Sequence, residues 1–143
     1  MISEELKDSV GNVCISKKKD LIAATCNDEN HTVIIYDRKK LIEKQNNITS
    51  TEKGIIAAGH TTKNIIFDIK FTIDEKCLAI ATLRELLFIS FEKGTLNANR
   101  GVFGNFSVTP TLCLLALKCK YKGDEKEYML SGMGNGSVYF WEN

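Results

Sequence analysis

Residues 131–143 read SGMGNGSVYFWEN, and they carry the clearest structural signal in the chain. The stretch predicts the end of one strand, a Gly-Asn-Gly turn that tolerates positive φ, and a second strand of β-branched and aromatic residues. That second strand closes on Trp141 and Glu142. The whole stretch is therefore a hairpin signature, and its meaning depends on whether the chain repeats it.

Short apolar runs recur in groups of three along the chain. The runs lie at residues 10–16, 21–26 and 32–37, then at 65–71, 77–82 and 86–91, then at 112–121, 128–132 and 137–141. Charged or Asn-rich turns separate them, one at residues 122–127 in the third group. Corresponding positions return at intervals of about 50 residues, as Tyr36, Ser90 and Trp141 show. The pattern predicts a threefold repeat of antiparallel strands.

Two longer segments join the groups, and each has room for an outer fourth strand. In the first segment, residues 53–58 favour such a strand, whereas residues 39–47 also suit a short helical turn. The second segment spans residues 92–111. Runs such as 21–24 and 112–117 are apolar at every position, which is typical of strands buried on both faces. In contrast, residues 67–71 alternate apolar and polar side chains.

The hairpin of residues 131–141 resembles the second half of a WD40 repeat, in which a Gly-rich turn precedes an apolar strand ending in Trp and an acid. The resemblance implies an all-β fold: a partial WD40-type β-propeller of about three antiparallel four-stranded blades, the last without its outer strand. The blade groups would fall at residues 9–58, 63–104 and 111–143, within one incomplete propeller domain.

WD40 blades often share a hydrogen-bonded set of His, Asp, Ser or Thr, and Trp, and the resemblance maps this set onto a few residues only. The structural WD40 positions are His60, Ser131, Asn135 and Trp141. In the second group Ser90 stands at the Trp position, so no group carries the full set. Because these residues have a structural role, the loss of part of the set predicts blades that diverge from the usual WD40 pattern.

Two segments are similar to a narrower group, the echinoderm microtubule-associated protein-like family. Residues 94–104, GTLNANRGVFG, precede the strand that begins PTLCL, and residues 26–33, CNDENHTV, join an acidic turn to an apolar strand. This resemblance implies a non-catalytic scaffold that binds tubulin or other cytoskeletal partners. The alternative is a generic WD40 adaptor subunit of a ubiquitin-ligase, signalling or trafficking complex.

Three groups are too few to close a propeller, because each blade buries its faces only against neighbours and about four to eight are needed. We therefore expect protein partners that include the remaining blades of a larger propeller or a second copy. Recognition is expected on loops at the rims of the sheets. The candidate contacts are Asn27, Asp28, His31, Arg84, Glu85, Asn99 and Arg100.

The net charge, the apolar runs and the cysteine content limit which other partners and which cellular location are expected. A formal net charge of +1 gives no overall field for nucleic acid or anionic lipid, so neither is expected as a partner. The N-terminus is polar and no apolar run reaches about 18 residues, which predicts neither signal peptide nor membrane span. The five cysteines occur in apolar runs without a Cys-x-x-Cys pair, so we expect buried, reduced thiols in a cytoplasmic protein. The family resemblance implies that this protein is associated with the cytoskeleton.

The sequence offers little for catalysis, and the prediction is that the protein is not an enzyme. His31 and His60 lie in different loops, and no nucleophile elbow or phosphate loop is present. The glycines of residues 132–136 precede a strand instead of the helix that a phosphate site requires. No cofactor or metal is expected, since a site built from Asn27, Asp28, Asn30 and His31 lacks any fixed geometry. The lysines at 17–19 read as a solvated turn.

Overall fold

A computed structural model describes residues 8–46, 54–121 and 123–142. The first sheet runs in the order β1 (Val10–Ile15), β2 (Leu21–Cys26), β3 (Thr32–Asp37) and β4 (Ile55–His60), all antiparallel. Helix α1 (Arg38–Asn46) connects β3 to β4. The helix begins where Asp37 accepts the backbone N–H groups of Lys39 and Lys40, which is the usual chemistry of a helix N-cap.

The second sheet repeats the same order of four antiparallel strands, and the third sheet has three strands within the described residues. The second contains β5 (Ile66–Phe71), β6 (Cys77–Thr82), β7 (Leu86–Ser90) and β8 (Asn97–Arg100), with a short 3₁₀ helix at Glu92–Gly94. The third contains β9 (Thr111–Tyr121), β10 (Asp124–Met133) and β11 (Val138–Trp141). The coarser fold prediction, an all-β chain of three antiparallel groups, is confirmed.

The sheets pack face to face through apolar side chains. Ala23, Val33 and Ile35 of the first sheet meet Leu78 and Ile80 of the second. Because alternate side chains of a strand point to opposite faces, β2 and β3 are apolar on both sides. Strands β6 and β7 of the second sheet are buried in the same way, and their other face meets the third sheet, whereas β8 is exposed along its length. The prediction that residues 21–24 are buried on both faces is therefore confirmed in the first sheet.

Helix α1 covers part of the second face of the first sheet, over β2 and β3. Leu41 packs with Ala24, Ile34 and Tyr36. The sequence allowed a strand or a helical turn in the segment after β3, and the structure contains both, with α1 first and β4 after it. Residue 47, the end of the predicted helical stretch, and residue 53, the start of the predicted strand, lie outside the described ranges. None of the helices in those ranges is long and apolar enough to cross a membrane.

Three expectations about strands are wrong. The turn predicted at residues 122–127 is shorter, because β10 begins at Asp124 and the Lys118–Glu125 ion pair, with 2.8 Å between Nζ and Oε2, extends the hairpin. Leu115, predicted to be buried, is 56% exposed, since its face of the third sheet has no neighbour in the described structure. Phe67 is also exposed, because a bulge between Ile66 and Asp68 interrupts the alternation of β5.

The cysteine prediction holds only in part. Cys14 and Cys26 are buried, and burial raises the pKa of the Cys14 thiol to about 12, so that thiol stays protonated at neutral pH. Cys113, however, is exposed because it lies on the uncovered face of β9. All five cysteines are free thiols.

Candidate interaction rim

The antiparallel order places the functional candidates of two sheets at one end of the molecule. The β2–β3 turn, the end of β4, the β6–β7 turn and the end of β8 all lie on this end, which we name the loop rim. Residues 61–64 run across it. The Thr61 N–H donates to the Asn30 carbonyl at 3.3 Å and its hydroxyl donates to the His31 carbonyl at 3.0 Å. The Thr62 hydroxyl donates to the Glu85 carboxylate of the β6–β7 turn, so this segment joins the first and second sheets at the rim.

The β2–β3 turn is organised by the Asp28 carboxylate. It accepts the backbone N–H groups of Asn30 at 3.2 Å and of Thr32 at 3.0 Å, and also the Thr32 hydroxyl. The hydrogen bond from that hydroxyl is the main reason that the pKa of Asp28 lies below its usual value. The turn therefore keeps its carboxylate ionised and occupied by its own backbone.

His60 joins the same group of side chains. Its Nδ1 lies 3.1 Å from the Thr32 hydroxyl oxygen, whose single proton is already donated to Asp28. The hydroxyl can only accept from His60, so Nδ1 carries the proton in this arrangement. His31 turns back to the chain, with φ of 45° and Nδ1 3.1 Å from the Cys26 carbonyl. Both histidines therefore hydrogen-bond to residues in or beside the β2–β3 turn.

Glu85 is the centre of the second half of the loop rim. Its side chain is only 15% exposed, and Oε1 accepts the Thr62 hydroxyl at 2.8 Å and the Asn64 amide at 3.0 Å. Its Oε2 lies 2.9 Å from Nε of Arg100, whose side chain is 80% exposed. The carboxylate is thus held by three neighbours, and Arg100 projects from it into solvent. An open hollow of about 410 Å³ lies between these groups and His60.

Two cations on the loop rim are not neutralised. Lys63 and Arg84 are exposed, and no carboxylate in the described ranges forms an ion pair with either. Asn99 is also exposed, although it lies with Arg100 on strand β8 and not in a loop as expected. The rim therefore presents the cations of Lys63 and Arg84, together with the exposed carboxylate of Glu29, around a hydrogen-bonded framework.

Asn27, one of the predicted contact residues, forms its hydrogen bonds with the segment that precedes β1. Its amide donates to the Ser9 hydroxyl at 3.0 Å, and its backbone N–H donates to the Ser9 carbonyl at 2.9 Å. A Cβ on Gly11 would lie 2.5 Å from its Oδ1, which explains the glycine at that position. Asn27 therefore holds the start of β1 in place.

The structural WD40 positions fall into two separate places. In the third sheet the Trp141 indole N–H donates to the buried Ser131 hydroxyl at 2.7 Å, and Asn135 accepts the Ser137 N–H at 3.0 Å. Gly136 has φ of 84°, which allows the tight turn between β10 and β11. His60, by contrast, belongs to the turn of the first sheet. The four residues therefore do not form one network.

The main contact that the sequence did not predict lies at the opposite end of the molecule. Glu75, only 3% exposed, accepts the backbone N–H groups of Lys17, Lys18 and Lys19 at 2.7 to 2.9 Å. The three lysine side chains are exposed, as expected for a solvated turn, but their backbone N–H groups bind a buried carboxylate, which the sequence did not predict. No local pattern connects positions that are 56 to 58 residues apart.

Among the described residues, no three His, Cys, Asp or Glu side chains are grouped so that they could hold a metal ion. Asn27 and His31 hydrogen-bond to Ser9 and to the Cys26 carbonyl. In comparisons with known proteins, no family model matches the chain and no curated protein is significantly similar to it.

Proposed function

We propose that this chain is a non-catalytic protein-interaction scaffold, the propeller portion of a microtubule-associated protein. The packing supports the proposal, because three sheets of the same strand order stack through apolar faces. Their first strands, β1, β5 and β9, are neighbours in that order, as the innermost strands of successive propeller blades are. A cytoplasmic, cytoskeleton-associated location follows from this function.

The loop rim is the observation that carries the proposal. Loops that are held by a rigid sheet scaffold are the usual place for recognition, since little entropy is lost when they bind. Here residues 61–64 tie two turns together, and Glu85 is occupied by its own neighbours. Lys63 and Arg84 are then available for carboxylates of a partner. The resemblance of residues 94–104 makes microtubules the first partner to test.

Co-sedimentation of this chain with taxol-stabilised microtubules tests the proposal. We expect binding at low salt that weakens as salt is added, because exposed charges are screened. Replacing Lys63 and Arg84 together by glutamate should weaken binding about tenfold, since two attractive contacts become repulsive. The matched control changes two exposed lysines away from the rim, Lys17 and Lys120, to glutamate and should bind almost as the parent does.

Two results would contradict the proposal. If the parent chain does not pellet with microtubules at low salt, the microtubule assignment is wrong. If both double variants lose binding equally, the attraction depends on overall charge and the loop rim is not the contact surface. Circular dichroism of each variant shows that a loss is not caused by unfolding.

A further inference from the structure

A second hollow lies at the opposite end from the loop rim, between the second and third sheets. These sheets are joined along their first strands, where the Leu114 N–H donates to the Asp68 carboxylate at 2.8 Å. Towards the loop rim, the gap between their outer strands is filled by Gly101 and Phe103, which pack against the Trp141 ring. Towards the other end the gap stays open as a cavity of about 360 Å³. We name this cavity the wedge pocket.

The corresponding gap between the first and second sheets is filled by the chain itself. Ile56, Phe91 and Leu96 pack there against the apolar core. Between the second and third sheets, Phe88, Met129 and Trp141 form apolar walls that face the open wedge pocket. The molecule thus covers one of two similar gaps and leaves the other accessible.

The Trp141 ring forms a fixed wall of the wedge pocket. Its indole N–H is bound to Ser131 at 2.7 Å, and Phe103 meets it edge to face with ring centroids 5.0 Å apart. A ring that is held in this way needs no ordering when a ligand packs on it. Aromatic faces of this kind attract cations, and tryptophan attracts them most strongly.

The polar side chains of the wedge pocket carry an excess of negative charge. Asp74, Glu127 and Glu142 line it together with a single cation, Lys126. Lys126 is paired with Glu142 at 3.1 Å, and this pair lowers the pKa of Glu142. Among the lining side chains, three carboxylates therefore face one ammonium, and outside the lining Lys19 and Lys76 lie near enough to Asp74 for their charges to help lower its pKa. Glu127 is exposed and forms no ion pair within the described ranges.

We propose that the wedge pocket binds an arginine side chain of a partner protein. A guanidinium is planar, so it stacks on the fixed indole while its N–H groups reach the carboxylates of Asp74 and Glu127. A volume of about 360 Å³ is at the small end for ligand sites, which suits one side chain better than a cofactor. The site is separate from the loop rim, so it does not depend on microtubule binding.

Trp141 is the only tryptophan of the chain, so intrinsic tryptophan fluorescence reports on the wedge pocket alone. The probe is the blocked peptide acetyl-Gly-Arg-Gly-amide, compared with the peptide in which citrulline, an uncharged isostere, replaces arginine. We expect a saturable change with the arginine peptide, at an affinity of about 1 mM, because a single side chain buries little surface. The citrulline peptide should produce no saturable change.

Variants then locate the binding. Asp74→Asn combined with Glu127→Gln should weaken binding of the arginine peptide at least about fivefold, because the charged partners are lost. Glu29→Gln, an exposed carboxylate on the loop rim, combined with Glu43→Gln on α1 is the control and should leave affinity unchanged. A lysine peptide should bind about threefold more weakly, since an ammonium neither stacks nor binds two carboxylates in a fork.

Three results would overturn the proposal. The first is a linear response that is the same for the arginine and citrulline peptides. The second is unchanged affinity in the Asp74→Asn/Glu127→Gln variant, provided that its circular dichroism matches the parent. The third is a lysine peptide that binds as tightly as the arginine peptide, because the pocket would then not distinguish a guanidinium from an ammonium.

Discussion

At the scale of single residues, one carboxylate joins two sheets that are far apart in sequence. Glu75 lies in the β5–β6 turn and accepts three successive backbone N–H groups from the β1–β2 turn. The lysine ammonium groups return the contact, since Nζ of Lys19 donates to the Glu75 carbonyl at 3.0 Å. Successive N–H groups that converge on an anion form a concave binding site, which is here filled from within the chain.

Removing the Glu75 carboxylate should destabilise the fold. Glu75→Ala leaves three buried or half-buried N–H groups without an acceptor, and we expect a loss of about 2–3 kcal/mol in the free energy of unfolding. Glu75→Gln keeps one acceptor oxygen and should lose roughly half as much. Urea denaturation followed by circular dichroism measures both, with Glu43→Ala on the exposed side of α1 as control. Equal stability of Glu75→Ala and the control would disprove the role.

At the scale of elements, the β10–β11 hairpin is stabilised by a side-chain pair across its two strands. Ser131 is fully buried and receives the Trp141 indole N–H, while Trp141 also contacts Phe103 and the backbone at Gly101. This pair holds β11 against β10 and positions the aromatic wall of the wedge pocket. The hairpin is therefore both a structural element and one side of a candidate binding site.

The two side chains should be energetically coupled. Ser131→Ala leaves the indole N–H without its partner and should cost about 1–2 kcal/mol. Trp141→Phe removes the donor and opens a space near Gly101, which should cost about 2–3 kcal/mol. Because both changes break one hydrogen bond, the double variant should lose less than the sum, by about 0.5–1 kcal/mol. A double-mutant cycle from urea denaturation measures this difference, and strict additivity would rule out the coupling.

At the scale of the whole molecule, both outward faces of the sheet stack leave apolar side chains exposed. On the first sheet α1 packs on β2 and β3 through Leu41, but Val13 and Ile15 of β1 are exposed at 58% and 57%. The outward face of the third sheet exposes Leu115, Val138 and Phe140 at 56%, 59% and 62%. Apolar patches of this kind are uncommon on monomers and favour association. The expectation that further blades or a second copy are partners remains a prediction, and these two outward faces are where it applies.

Self-association through the outward face of the third sheet can be measured directly. Sedimentation velocity of the chain should show a concentration-dependent shift to larger species, because the exposed apolar face gains free energy when it is buried. Leu115→Lys combined with Phe140→Lys should shift the equilibrium towards monomer by at least about tenfold, since charges replace the apolar contact. Val102→Lys combined with Val108→Lys changes exposed loop positions and is the control. A parent chain that stays monomeric at high concentration would contradict the prediction.

Much of the local structure was predictable from the sequence. Gly-Asn-Gly at residues 134–136 predicts the tight turn, and Gly136 has the positive φ that this turn needs. Alternation and apolar runs also located the first three strands of each of the first two sheets, because burial on one or both faces leaves a direct pattern in the residues. Strand β8, which is exposed along its length, was not located in this way. The positions of Arg84 and Glu85 between two strands followed from the same pattern.

Contacts between distant segments were not predictable in this way. Thr62 and Asn64 reach Glu85 across about 20 residues, and Glu75 binds a backbone site more than 50 residues away, so no local pattern records either pair. The exposure of Leu115 could not be predicted either, because the sequence of an apolar strand does not show whether a neighbouring sheet covers it.

The sequence by itself determined that this is an all-β protein with three antiparallel strand groups, because side-chain alternation and turn chemistry act over a few residues. Only the tertiary structure decided which side chains meet at the loop rim, which gap between sheets is filled and which stays open as the wedge pocket. Those outcomes depend on how the faces of separate sheets pack. Packing joins residues by distance in space, which their order along the chain does not specify.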